Sequence, residues 1–103
     1  MAAYILGHMT IDDKDSYVKY RNSFAPIFQR YQGEVVAYDD FAQVIEGQLE
    51  PGRTVILKFP DKATALEWFN SEDYQHISKF RHAGVRQHFA LLMGERPDQD
   101  EFV

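Results

Sequence analysis

The sequence predicts an α+β domain: a four-stranded antiparallel sheet with two helical stretches on one of its faces. Three observations lead there. Strand-like and helix-like segments follow one another in the order strand, helix, strand, strand, helix, strand. No linker, repeat or low-complexity stretch divides the 103 residues, and single domains run to about 100–150 residues. The chain is 45% hydrophobic and 15% aromatic, rich enough in bulky side chains to build a packed core.

The elements can be justified in order. "AYILGHMTI" (3–11) is short, apolar and β-rich, and Asp12-Asp13 break it, so it reads as a strand. Tyr17, Tyr20, Phe24, Ile27, Phe28 and Tyr31 then recur at steps of three and four, the period of a helix with one aromatic face. Asp12 or Asp13 would cap this helix, Gly33 would stop it, and Pro26 should kink it or start a second one. "EVVAYDD" (34–40) reads as the second strand, and "AQVIEG" (42–47) as a short extra one before the Pro51-Gly52 turn. "RTVILKF" (53–59) is the third strand. Asp61 caps a helix with Ala65, Leu66, Trp68 and Phe69 at core spacing, and Ser71 caps a further helical piece that runs to about Ala83 and ends at Gly84. "RQHFALLMG" (86–94) closes the sheet, and residues 96–103 form a loose acidic tail beyond a domain covering 1–95. Right-handed crossovers around this order give the ferredoxin-like arrangement.

Helices on one face leave the other bare. Alternation assigns Ile5, Met9, Ile11, Val55, Leu57, Phe59, Phe89, Leu91 and Met93 to the helix side. The opposite set mixes Tyr4, Leu6, Ile56, Ala90 and Leu92 with His8, Thr54, Lys58 and His88. That face is too apolar for water, and a second copy of the chain is the simplest cover, so a homodimer joined sheet to sheet is expected.

Charge and composition exclude several classes. A net charge of −5 removes the electrostatic drive toward nucleic acid or an anionic membrane. No apolar run reaches the ~20 residues of a membrane span, the start lacks a basic leader, and cysteine is absent, so a cytoplasmic protein without disulfides or thiolate chemistry is expected.

The ordered set "AYILGHMTI", "YVKYRNSFAPIFQRYQGEVV", "VIEG" and "PGRTVILKFPDKATALEWFNSEDYQ", followed by Arg81 ahead of the last strand, resembles the small bacterial domains of unknown function numbered 1330. The resemblance spans residues 3–95 and implies a dimeric α/β barrel, in which two ferredoxin-like sheets face each other. It implies no particular reaction: similar superfamily members include cofactor-free monooxygenases, lactone isomerases and much longer haem enzymes, so no cofactor is expected. Members often carry a tryptophan just after the Glu-Gly pair, where this chain has Leu49.

Candidate chemistry centres on "WFNSEDYQHISKFRH" (68–82). Tyr74 and Arg81 share a helix face. Arg81 either clamps the anionic group of a small molecule, with Tyr74 and Trp68 as walls, or pairs with one of the 16 carboxylates while the rings fill core. Tyr20 would add a polar tip to such a cavity. His8 and His88, on neighbouring strands, could serve as a general base or a metal pair, or sit as hydrogen-bonded interface histidines, with His8 the candidate catalytic group. His76 and His82, far apart around their helix, read as surface residues, and Glu46 as an ion-pair partner for Arg53. A cofactor-independent enzyme acting on a small anionic or aromatic molecule and a non-catalytic binding or structural module are both open.

Overall fold

The computed structural model describes residues 2–95; the acidic tail expected at 96–103 lies outside the described residues. The chain runs β1 (Ala3–Ile11), α1 (Lys14–Arg30), β2 (Glu34–Asp39), β3 (Arg53–Phe59), α2 (Lys62–Asn70), α3 (Glu72–Gly84) and β4 (Val85–Gly94). The strands form one antiparallel sheet in the order β2-β3-β1-β4, with the three helices packed on one face. This is the ferredoxin-like α+β arrangement.

Local chemistry sets the boundaries. The Asp13 carboxylate accepts from the amides of Asp15 and Ser16, Asp61 from Thr64, and the Ser71 hydroxyl from Tyr74, so each helix has its orphan N-terminal donors engaged. Pro26 sits inside α1 without breaking it; the helix is continuous to Arg30. At its end Gln32, not Gly33, takes the left-handed conformation, with φ of 59°. Gly33 is needed for a different reason, since a Cβ there would stand 2.2 Å from the Phe28 ring.

The core is an aromatic layer between helices and sheet. Tyr20 and Phe28 of α1 meet Phe59 of β3, Trp68 of α2 and Tyr74 of α3, with Ile27, Leu57 and Ile77 filling between them. Phe28 meets Phe59 edge to face at 5.4 Å and Trp68 at 5.7 Å, geometry that favours aromatic pairs beyond their buried area.

Three features differ from the sequence reading. Residues 42–47 form no strand; they lie in an exposed connection between β2 and β3, with Phe41 91% and Ile45 95% exposed. A β-rich run becomes a strand only by pairing with a neighbour, and this one pairs with none of the four strands. Arg53 pairs with Asp40 rather than Glu46, at 2.6 Å. In β4 the faces are inverted. The register steps from His8↔Phe89 to Met9↔Gln87, leaving His88 as a bulged extra residue. Beyond the bulge Ala90 opposes Gly7 and Leu92 opposes Ile5, on the helix side, whereas Phe89, Leu91 and Met93 fall on the bare side with His8, Leu6 and Tyr4. The bare face therefore carries the row Ile56, Leu6 and Leu91, flanked by Met93, and Leu91 and Met93 are each 51% exposed.

Candidate functional site

The bulge in β4 organises more than the sheet. Its irregular backbone leaves carbonyls to be satisfied, and the Gln87 amide donates to the His8 carbonyl at 3.2 Å and to that of Phe89 at 2.8 Å. With its nitrogen so held, Gln87 presents its Oε1 to Arg81 of α3, which donates from Nη1 at 2.8 Å. The sheet irregularity thus fixes a glutamine, and the glutamine fixes an arginine.

Arg81 lies on the wall of a cleft of about 330 Å³ between the helices and strands β1, β3 and β4. Trp68, Tyr74, Tyr20 and Arg81 all line it, so four of the residues singled out from the sequence come together there. Leu57 and Leu92 line its sheet side, and Leu66 and Phe69, half exposed rather than buried as their spacing suggested, sit on its α2 side. The volume is at the small end of the roughly 300–1,000 Å³ common for ligand sites.

The polar inventory of this cleft is unusual. Arg81 is only 8% exposed, yet the ion pairs among the described residues join Arg30 to Asp73, Arg53 to Asp40 and Arg86 to Asp12, and none of them involves Arg81. Besides the bond to Gln87, its guanidinium stands over the Tyr20 ring at 6.0 Å. A guanidinium is a permanent charge, and holding one out of water without an anion costs several kcal/mol on the order-of-magnitude scale for buried ions. Two buried donors, Arg81 Nε and Trp68 Nε1, have no hydrogen-bond partner among the described residues. Buried donors are rarely left so.

The tyrosine hydroxyls of α1 and α3 meet at 3.0 Å, and the Tyr20 and Tyr74 rings are 6.2 Å apart. Burial, reinforced by Tyr74, pushes the Tyr20 phenol well above its ordinary value, so it stays protonated. Trp68 packs on Tyr74 with ring centroids 4.1 Å apart. His82, read from the sequence as a surface residue, also lines the cleft. Burial and the adjacent Arg81 charge hold its imidazole below the ordinary histidine value.

His8 is placed elsewhere. It points to the opposite face of the sheet and is 1% exposed. Its Nε2 donates to the Glu50 carbonyl at 2.5 Å and its Nδ1 meets the Thr54 hydroxyl at 2.8 Å. A carbonyl can only accept, so Nε2 carries a proton toward Glu50, while Nδ1 and the Thr54 hydroxyl share the second hydrogen bond. Thr10 bonds both the Pro51 carbonyl and His88, each at 2.7 Å. These contacts lash residues 50–51 across one end of the bare face. The close crossing explains Gly52, where a Cβ would stand 2.1 Å from the Met9 carbonyl oxygen. Both ring nitrogens of His8 are used in this strap, and the His8 and His88 rings, 5.5 Å apart, meet beside it.

Fold and cleft together define a small ferredoxin-like α+β protein with an aromatic-walled cleft built around a lone buried arginine. The family model described as Domain of unknown function (DUF1330) matches residues 2–95, and the chain belongs to that family. Among curated proteins no match is found. Among solved structures, a protein of unknown function from Rhodopseudomonas palustris is similar at 20% identity and a TM-score of 0.73, over 93% of this chain and 84% of that one. SnoaB, a cofactor-independent oxygenase from Streptomyces nogalater, is similar at 12% identity and a TM-score of 0.64, over 97% and 98%. A dimeric ferredoxin-like protein of unknown function from Thermobifida fusca is similar at 9% identity and a TM-score of 0.59, over 92% of each chain. At these identities the likeness establishes a shared fold.

Proposed function

We propose that the cleft holds a small molecule with an aromatic or other flat apolar body and an anionic head, and that Arg81 receives the head. The observation that carries this reading is the buried Arg81 guanidinium, which among the described residues has no carboxylate partner and an unengaged Nε. An anion entering the cleft would compensate that charge, and Trp68 Nε1 offers a second donor. The Trp68 and Tyr74 rings would flank the body, and Tyr20 and Tyr74 would supply neutral hydroxyls. The protein would act as a cofactor-independent enzyme on this ligand, a reading supported by a cleft that offers hydrogen-bond donors and a titratable group. A non-catalytic binding module is the second reading, favoured by the mutual hydrogen bond that engages the two tyrosine hydroxyls.

We further propose a homodimer joined through the bare face, supported by the half-exposed Leu91 and Met93 beside the partly buried Leu6 and Ile56. A cytoplasmic location is proposed from the absence of cysteine. No helix among the described residues is long and apolar enough to cross a membrane.

Trp68 is the single tryptophan and stands in the cleft, so its fluorescence reports occupancy. Titration with benzoate should change the emission, and benzyl alcohol should bind more weakly by about 10–100-fold, since a hydrogen bond to a charged group contributes about 1.5–3 kcal/mol. Arg81→Gln should erase that preference. Equal binding of acid and alcohol by the unmodified protein would refute the reading.

A further inference from the structure

We propose that His82 is the proton acceptor of the cleft, and that the molecules it serves are weak acids, phenols or carbon acids beside a carbonyl, whose conjugate base Arg81 holds. The inference rests on the cleft being a ligand site and adds what kind of ligand and which group works on it. It starts from an elimination. Among the described lining residues β1 contributes Ile5, Gly7 and Met9, β3 contributes Val55 and Leu57, and α2 contributes apolar side chains, none of which titrates. The only titratable or charged groups facing His82 across the cleft are Tyr20 from α1 and Tyr74 and Arg81 from α3 itself; β4 offers the neutral Gln87. Both tyrosines are phenols hydrogen-bonded to each other, and a guanidinium accepts no proton. Among the described residues no carboxylate lines the cleft. His82 is the one side chain there able to take a proton near neutral pH.

Its setting suits the task. Slight burial and the Arg81 charge hold its imidazole below the ordinary histidine value, which favours the basic form. Protonating it on its own would place a second positive charge beside Arg81. Protonating it at the expense of a bound acid would not, because the ligand's new negative charge compensates the pair. The transfer therefore favours a ligand that ionises in place. The ligand's O–H or C–H bond breaks, its electron pair stays on the ligand facing Arg81, and the proton forms an N–H bond on the His82 ring. Nothing is oxidised or reduced.

The probe is 4-nitrophenol, whose ionised form absorbs at longer wavelength than its neutral form, with benzoate as an acid already ionised. Binding is followed through Trp68 emission and ionisation through nitrophenol absorbance, at a pH below that at which free nitrophenol ionises. The unmodified protein should bind nitrophenol and bring out the phenolate band. His82→Gln, at an exposed side chain, should keep the fold, and its ratio of ionised to neutral bound nitrophenol should fall about tenfold or more, one unit of pKa. A phenolate band undiminished in His82→Gln overturns the proposal, as does nitrophenol bound only in its neutral form. Benzoate binding without nitrophenol binding also overturns it and leaves the anion-site reading standing. Failure of both probes overturns the two together.

Discussion

Replacing Arg81 by methionine separates a working arginine from a structural one, because the two roles give stability changes of opposite sign. Arg81 is 8% exposed, donates one hydrogen bond to Gln87 and stands 6.0 Å over the Tyr20 ring. Those contacts contribute about 1.5–3 kcal/mol for a charged hydrogen bond and about 0.5–1 kcal/mol for the cation–π contact. Against them stands the desolvation of an unpaired guanidinium, several kcal/mol even after relaxation. Methionine has similar length and needs no solvation. Gln87 is exposed, so water can replace the lost donor. The balance for Arg81→Met without ligand should lie between roughly zero and +2 kcal/mol, within the range seen when buried ionic groups give way to apolar ones. With about 4–8 °C per kcal/mol for a domain of this size, the melting temperature should hold or rise by up to about 15 °C. Adding benzoate at about 100 times its Kd should then raise the melting temperature of the unmodified protein, by about 2.7 kcal/mol of linkage, and leave Arg81→Met unmoved. Thermal melts followed by circular dichroism, with and without benzoate, give all four values. A fall of more than about 10 °C in Arg81→Met without ligand would mean that Arg81 holds the fold together, since removing one partner of a compensated buried pair costs about 3–5 kcal/mol.

Two further outcomes follow from the opposite face. Leu91→Glu combined with Met93→Glu changes two half-exposed side chains, so the protomer should stay folded while sedimentation shifts from dimer to monomer; an unchanged sedimentation profile would place the dimer contact elsewhere. His8→Ala should lose the bonds to Glu50 and Thr54, destabilise the domain by about 2–3 kcal/mol and speed amide exchange across residues 40–52. Exchange at the unmodified rate there would remove the strap from the account.

Much of the fold was legible because local signals agreed with global ones. Asp13, Asp61 and Ser71 cap where their chemistry says they should, and the aromatic period of α1 points Tyr20 and Phe28 at the core. The faces of β4 were not legible. Leu91, Met93 and Phe89 on one side and Ala90 and Leu92 on the other are apolar alike, so parity alone decides nothing, and the bulge at His88 reverses it. Residues 42–47 have β propensity but pair with neither open edge of the sheet, a long-range fact that no local pattern carries. The site was half legible. Spacing placed Tyr74 and Arg81 on one face of α3, but nothing in the spacing told that Arg81 lacks a carboxylate or that Gln87 orients it. His82 is exposed, as its helical position suggests, but its place at the cleft depends on strands and on α1, which a comparison with His76 on the same helix does not reach. His8 stands out in the sequence as one of two histidines on neighbouring strands of the bare face; its partners, the Glu50 carbonyl and Thr54, lie more than forty residues along the chain.

The most direct test of the arginine cleft is a crystal soaked with 4-bromobenzoate, located by the anomalous signal of bromine. The account expects the ring against Trp68 and Tyr74, with the carboxylate within hydrogen-bond distance of Arg81 Nε and Trp68 Nε1, the two donors now without partners. Bromine seated outside the cleft, or a carboxylate turned to solvent while Arg81 keeps Gln87 as its only polar partner, would contradict it.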